Sequence, residues 1–256
     1  MLQHASSLVF EPPAAREIMR WPLPHQGAVN GAVIRGLCIL ARRRVTLVRG
    51  LEHVRPSCDP FILALNHSSR IEALLVPALL ILHRDGRLIR FLADWNFRLI
   101  PGVGLIYRRA ETVTLTRKAA RPHVLNLLKP LYRDPLPALE GLRGHLAAGQ
   151  SVGIFPEGRV NRDPRRLTAA RKGAAYLSLL TGVPVVPVGI RFPAAHGRPI
   201  SGRDPMEVDI GAPLSPPRLT AARLTSSELA AWHAVVMAEI GRLAGKLWSP
   251  TDGGPP

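Results

Sequence analysis

Cysteine is nearly absent from this 256-residue chain. Cys38 and Cys58 are too few for a disulfide framework and sit at no metal-ligand spacing, so a reducing compartment is the natural setting. Lysine is scarce as well: Lys118, Lys129, Lys172 and Lys246 stand in a chain whose formal net charge is +16. The positive charge is therefore overwhelmingly arginine. Aromatic residues make up 5%, and no basic strand carries the interleaved aromatics on which bases stack, which argues against a nucleic-acid partner. No apolar run approaches the ~20 residues that span a bilayer. The opening Met1-Leu2-Gln3-His4 lacks the basic and apolar regions of a signal peptide. These absences describe a soluble or peripheral protein. There is no metal-ligand cluster, repeat or low-complexity block.

With 46% hydrophobic residues, the chain can bury one large core or two small ones. Its charge points to an anionic partner, and with nucleic acid disfavoured that partner is an acidic membrane surface. Arginines scattered over a solvated surface are the alternative. Residues 1–26 are rich in proline and small side chains and read as poorly ordered, 27–248 as the folded domain, and 249–256 as a frayed tail. The segment 26–44 ends in Arg42-Arg43-Arg44. It can lie on a membrane with its apolar side down, or form the first core helix; its modest amphipathicity favours the core. Strands are expected at 45–48, 61–66, 88–92, 112–115, 151–155, 183–190 and 206–210. Helices are expected at 71–82, 136–148 and 169–181, and from a Thr225-Ser226-Ser227-Glu228 capping box to about 247. Strands alternating with helices give a single α/β domain, a mixed and mostly buried sheet covered by helices. The two prolines of 183–190 are unusual for a central strand.

Three stretches carry candidate chemistry. In the first, the apolar run Phe61-Ile62-Leu63-Ala64-Leu65 stops at Asn66-His67, and Glu72 opens the next helical pattern. A histidine at a strand end with a carboxylate one turn on can be a base with its orienter: the carboxylate takes one ring nitrogen and the other accepts a proton. Ser69-Arg70-Ile71-Glu72 can equally be a capping box, with Glu72 only closing the helix start. In the second, a strand runs into Phe155-Pro156-Glu157-Gly158-Arg159-Val160-Asn161-Arg162. Gly158 permits a tight turn, and Glu157, Arg159 and Arg162 sit on a loop at a strand end, where α/β sheets place ligands. Arginine forks suit phosphate, although a solvated turn explains the same residues. The third runs from Ala93-Asp94-Trp95-Asn96-Phe97 through Ile100-Pro101-Gly102 to Arg117-Lys118, where Arg117 is either a ligand or a surface cation.

Asn66-His67 with its acid five residues on, Ile100-Pro101 followed at distance by Arg117, Phe155-Pro156-Glu157-Gly158, and Val183-Pro184-Val185-Val186-Pro187-Val188 together resemble the four blocks of the lysophospholipid acyltransferase family. This family includes the 1-acylglycerol-phosphate acyltransferases. The blocks stand in the family's order over roughly Val45 to Pro213. The resemblance implies the glycerol-phosphate-acyltransferase-like fold. It also implies transfer of a fatty acyl group from an acyl-CoA or acyl-carrier-protein thioester to a lyso-lipid hydroxyl, without a cofactor. By the same resemblance, His67 is the general base and Glu72 its orienter. Arg117 contacts the acceptor's phosphate, Glu157 and Gly158 form the acceptor-binding turn, and Val186, Pro187 and Val188 are structural.

Two departures matter. The usual acid is aspartate, one methylene shorter than Glu72. The usual turn continues Thr-Arg, where this chain has Arg159 and Val160, so the phosphate-binding arginine is displaced and Arg159 or Arg162 is left to substitute. The expected activity is O-acylation of 1-acylglycerol-3-phosphate by a peripheral protein on the cytoplasmic face of the cell membrane. A non-phosphate acceptor such as a lyso-ornithine lipid is one alternative, and a catalytically idle basic membrane-binding module is another.

Overall fold

The computed structural model describes residues 9–100, 103–115, 119, 123–132, 136–218 and 224–250. Among them one eight-stranded sheet forms. Its strands are β1 (Val9–Phe10), β2 (Val45–Arg49), β3 (Ile62–Leu65), β4 (Arg90–Asp94), β5 (Val113–Leu115), β6 (Val152–Ile154), β7 (Val185–Arg191) and β8 (Met206–Ile210). The spatial order is β1-β2-β8-β7-β3-β6-β4-β5. β7, β3, β6, β4 and β5 run parallel, as do β2 and β8, while β1–β2 and β7–β8 are antiparallel. The mixed α/β sheet expected from the sequence is thus present.

Helices cover both faces. Alternate residues of β3 separate the two cores, as the two-residue period of a strand requires. Leu63 and Leu65 enter a cluster with α1 (Ala15–Arg20), α2 (Ala28–Ala41) and α3 (Glu72–His83). Ile62 and Ala64 enter the opposite one with α5 (Ala138–Ala147), α6 (Gly173–Thr181) and α7 (Ser226–Ala244). A further helix, α4 (Val103–Arg109), packs on the turn 95–99 beyond β4. Helix α7 begins with both halves of its capping box: the Glu228 N–H donates to Thr225 Oγ1 at 3.2 Å and the Thr225 N–H to Glu228 Oε2 at 2.9 Å. Helix α2 buries Gly31, Ile34, Cys38 and Ala41, as a core helix does.

Pro187 is accommodated because its carbonyl and missing N–H both point toward β8. There the ladder with β7 starts only at Val188↔Ile210, and Gly211 N–H reaches Pro187 O at 2.8 Å. Gly189 faces α7 so closely that any side chain would collide with the backbone of Leu243 and Ala244.

The N-terminal stretch corrects the expectation drawn from its prolines. Residues 9–26 are built into the fold: β1 pairs with β2, and α1 buries Ile18. The His83 ring sits edge-on to Phe10 at 4.2 Å and to Trp21 at 5.0 Å. Phe10 and Trp21, on either side of Pro12 and Pro13, anchor the segment on α3. Residues 1–8 and 251–256 lie outside the described residues. Helix α6 starts at Gly173 rather than at 169, because the Arg171 N–H is held by Pro156 O at 2.8 Å.

Candidate active site

The chain leaves β3 at Asn66, whose buried side chain continues the ladder that the backbone abandons. Its Nδ2 donates to Ile190 O at 3.0 Å, and its Oδ1 accepts the Ile190 N–H at 2.7 Å. Fixed by this bridge to β7, the backbone turns through His67-Ser68-Ser69 into α3.

The turn brings His67 Nδ1 to 3.0 Å from Glu72 Oε1, and the same oxygen accepts the Ser68 N–H. Glu72 is fully buried, whereas His67 lines a cavity. An ionised carboxylate only accepts, so Nδ1 carries the proton and Nε2 is left as an acceptor at the cavity wall. Burial pushes the Glu72 carboxyl up from its ordinary value, against the lowering effect of His67 and the Ser68 N–H. The capping box proposed at this helix start does not form: Ser69 Oγ has no hydrogen-bond partner, and the N-cap is Ile71. Glu72 serves the backbone, but at Ser68, and it serves the histidine with the same atom.

A second buried carboxylate fixes the loop from behind. Glu157 Oε1 accepts the His67 N–H at 2.9 Å. Its Oε2 accepts from Asn161 Nδ2 at 2.9 Å, Thr168 N–H at 2.9 Å and Thr168 Oγ1 at 3.0 Å. Asn161 N–H in turn reaches His67 O at 2.7 Å. Glu157 therefore spends its acceptor capacity on protein and is turned away from the cavity wall, where the sequence resemblance implied an acceptor-binding role. Gly158 does lie on the wall, at φ 62°, a left-handed conformation that glycine adopts without steric penalty.

The cavity has a volume of about 1320 Å³. Much of its wall is apolar, including Ile81, Leu88, Phe91, Leu92 and Leu139, while Arg70, Arg159, Arg162 and Arg171 line it on the loops beside His67 and Gly158. None of these four arginines has an ion-pair partner among the described residues, whereas Arg49, Arg84 and Arg191 are held by carboxylates. Arg159 and Arg162 were expected here. Arg70 and Arg171 were not, although Arg70 stands three residues from His67. Arg117 lies outside the described residues. The roles of Asn161 and Thr168 are also invisible in the sequence, because they depend on how the loop after β6 folds back on Glu157.

The sequence profile of the family described as "Acyltransferase" matches residues 45–191. A chloroplastic 1-acyl-sn-glycerol-3-phosphate acyltransferase of Brassica napus is 29% identical over 143 residues, 56% of this chain and 36% of the relative. A protein of the same name from Arabidopsis thaliana is 28% identical over 141 residues, 55% of this chain and 34% of the relative. This chain thus matches about a third of the length of either curated relative. The crystal structure of PlsC, the 1-acyl-sn-glycerophosphate acyltransferase of Thermotoga maritima, superposes with a TM-score of 0.54 at 23% identity, covering 92% of this chain and 81% of that one. That likeness is one of fold.

Proposed function

The chain belongs to the acyltransferase family, and from that premise we propose that it moves a fatty acyl group from a thioester to the hydroxyl of a lyso-lipid, with 1-acylglycerol-3-phosphate the favoured acceptor. The observation that carries the reading is the His67 Nδ1–Glu72 contact of 3.0 Å on the wall of a large cavity. A lipid hydroxyl is a weak nucleophile. Nε2 of His67 takes its proton as the oxygen attacks the thioester carbonyl, and Glu72 stabilises the imidazolium that forms. The C–O bond forms, the C–S bond breaks, and the imidazolium returns the proton to the leaving thiolate. The protein supplies the base, so no cofactor is required; the donor is an acyl-CoA or an acyl-carrier protein.

The walls of the cavity support the choice of acceptor. Its apolar lining suits acyl chains, and its arginines, without ion-pair partners among the described residues, suit a dianionic phosphate, which guanidinium forks bind bidentately. The arginine displaced from the turn at Val160 is compensated by Arg70, Arg162 and Arg171 on the same wall. A lyso-ornithine head group carries its own ammonium and fits this wall less well.

Membrane attachment is peripheral in this reading, at the cytoplasmic face. Among the described residues no helix is long and apolar enough to cross a bilayer. Helix α2 lines the cavity with Asn30, Val33 and Leu37 and exposes Val29, Ala32, Gly36 and Leu40, with Arg42 and Arg43 exposed at its end. An uncharged face with arginines at its edge suits an anionic lipid surface.

The test offers purified protein a panel of lyso-lipids with acyl-CoA and with acyl-carrier protein, read by mass spectrometry. Diacylglycerol-phosphate is expected as the main product. A preference for lyso-ornithine lipid would replace the acceptor, and no acyl product from any pair would leave the idle membrane-binding module.

A further inference from the structure

Helix α7 ends in a Schellman motif. Gly245 is left-handed at φ 64°, its N–H reaches Arg242 O at 3.3 Å, and the Lys246 N–H reaches Gly241 O at 2.8 Å. The position after the left-handed residue normally makes an apolar contact. Here it is a lysine, and it is 94% buried. Its Nζ donates to Ser68 Oγ at 2.8 Å and to Asp163 O at 2.7 Å. One ammonium thus ties together the two loops that build the site. On one side is the turn between His67 and Glu72; on the other is the loop that follows Glu157. The backbone secures the same junction, since Leu247 N–H donates to Arg165 O and Leu167 N–H to Leu247 O, each at 2.8 Å.

Burying a lysine is unfavourable unless something requires its charge. Two buried carboxylates hold the same turn: Glu72 accepts the N–H of Ser68, the residue whose hydroxyl the lysine bonds, and Glu157 accepts the N–H of His67 next to it. We propose that Lys246 is a positioning residue that balances the buried charge of Glu72 and Glu157 and so keeps Glu72 ionised beneath His67. This rests on reading His67 and Glu72 as base and orienter. The groups facing the cluster are His67 and Ser68 from the turn after β3, Glu72 from α3, and Glu157 and Asp163 from the loop after β6. Asp163 turns its carbonyl to the lysine, while its carboxylate accepts the Arg165 and Arg166 N–H groups. Burial pushes the Lys246 ammonium down from its ordinary value, opposed by Glu157, Glu72 and Asp163. Burial pushes Glu72 up, so its ionised form depends on every favourable charge nearby. Lys246 lies outside residues 45–191, the part of the chain that the family profile matches.

The test titrates the full chain labelled with ¹³C at glutamate carboxyls, the Glu72 signal being assigned by its loss in Glu72→Gln. Lys246→Met should raise the Glu72 midpoint by roughly one pH unit, the size of effect a single neighbouring charge exerts. The acid limb of acyl transfer should move upward with it. On the acid limb, below the Glu72 midpoint, kcat should fall about tenfold while the KM for the lyso-lipid stays within about twofold, because there one pH unit is a factor of ten in the ionised fraction. Lys246→Arg, which keeps the charge, should restore both midpoint and kcat. A folded Lys246→Met protein with an unmoved Glu72 midpoint overturns the proposal. If Lys246→Met does not fold, Lys246→Gln reads the same shift. If both fail to fold while Lys246→Arg folds, the lysine is a structural clamp and the proposal is equally overturned. A shifted midpoint in a protein that transfers no acyl group would leave the charge-balancing role standing and remove the acyltransferase reading instead.

Discussion

Replacing Glu72 by glutamine separates the charge of the orienter from its geometry. Glu72 Oε1 accepts two hydrogen bonds, from His67 Nδ1 and from the Ser68 N–H. The Ser68 donor is part of the backbone, so in Glu72→Gln it holds the amide oxygen, not the amide nitrogen, at that position. The His67 tautomer should therefore stay correct. Only the negative charge is lost, and with it the stabilisation of the imidazolium. At ~4 Å and an effective dielectric constant of ~20, a unit charge pair interacts by about 4 kcal/mol, an upper bound. A rate loss on the order of 10²–10³ is expected, smaller than the ~10⁴ that follows when the tautomer is wrong. Stability should change little at neutral pH. The new amide NH2 replaces an oxygen with no hydrogen-bond partner, which costs ~1–3 kcal/mol. Removing a buried charge offsets this. The folded value of Glu72 is raised, so in the wild type this group's contribution to stability is lost as pH rises through that value, and Glu72→Gln should lack this decline. The assay is kcat/KM together with thermal unfolding at about pH 5 and pH 8. A fully active, folded Glu72→Gln would refute the dyad.

Four further changes extend the test. Glu72→Asp should keep partial activity, since the shorter acid retains charge but must reach farther to Nδ1, as kcat/KM will show. Ser69→Ala should leave stability within about 0.5 kcal/mol in denaturant unfolding, because its hydroxyl has no partner, whereas a true cap would cost ~1 kcal/mol. Glu157→Gln should lose stability and activity together: four donors converge on its two oxygens, and an amide nitrogen leaves buried donors unsatisfied at ~1–3 kcal/mol each. Burial depresses the His83 imidazole from 6.5 to about 4. The unfolded chain therefore gains a proton before the folded one, and stability should fall as pH drops from 6.5 to about 4. His83→Leu should blunt that fall in the denaturant midpoint.

The sequence showed most of the sheet because its strands are short apolar runs bounded by Gly, Pro or Asn, as in 61–66 and 206–210. It missed β1 and α1 because their order comes from Phe10 and Trp21 packing on His83 of α3 and from α1 packing on α2, long-range contacts with no local period. It missed α4 because Pro101 and Gly102 read as a loop start. The His67–Glu72 pair was legible as spacing, but its sharing with the Ser68 N–H was not. Glu157 stands in the turn that the resemblance marks, and its carboxylate is directed into the protein, a direction no motif spacing carries. The spacing of a motif fixes which loop a side chain occupies, while the partners that turn it inward, Asn161 and Thr168, depend on how that loop folds. Lys246 gave only the hint of a lysine in an arginine-rich chain, directly after a helix-ending glycine.

The peripheral attachment proposed for the basic surface has a simple readout. Sedimentation with anionic vesicles should weaken as salt rises, and equal binding to neutral vesicles at high salt would remove the electrostatic account.

The central claim is that His67 is the base of an acyl transfer, and one comparison tests it most directly. Wild type and His67→Ala, matched for folding by circular dichroism and unfolding midpoint, are given an acyl-CoA and 1-acylglycerol-3-phosphate on anionic vesicles, and the diacyl product is counted. The wild type should form it, and His67→Ala should form it at a rate lower by about 10²–10⁴, the range general-base catalysis supplies. A His67→Ala protein as fast as the wild type would contradict the account.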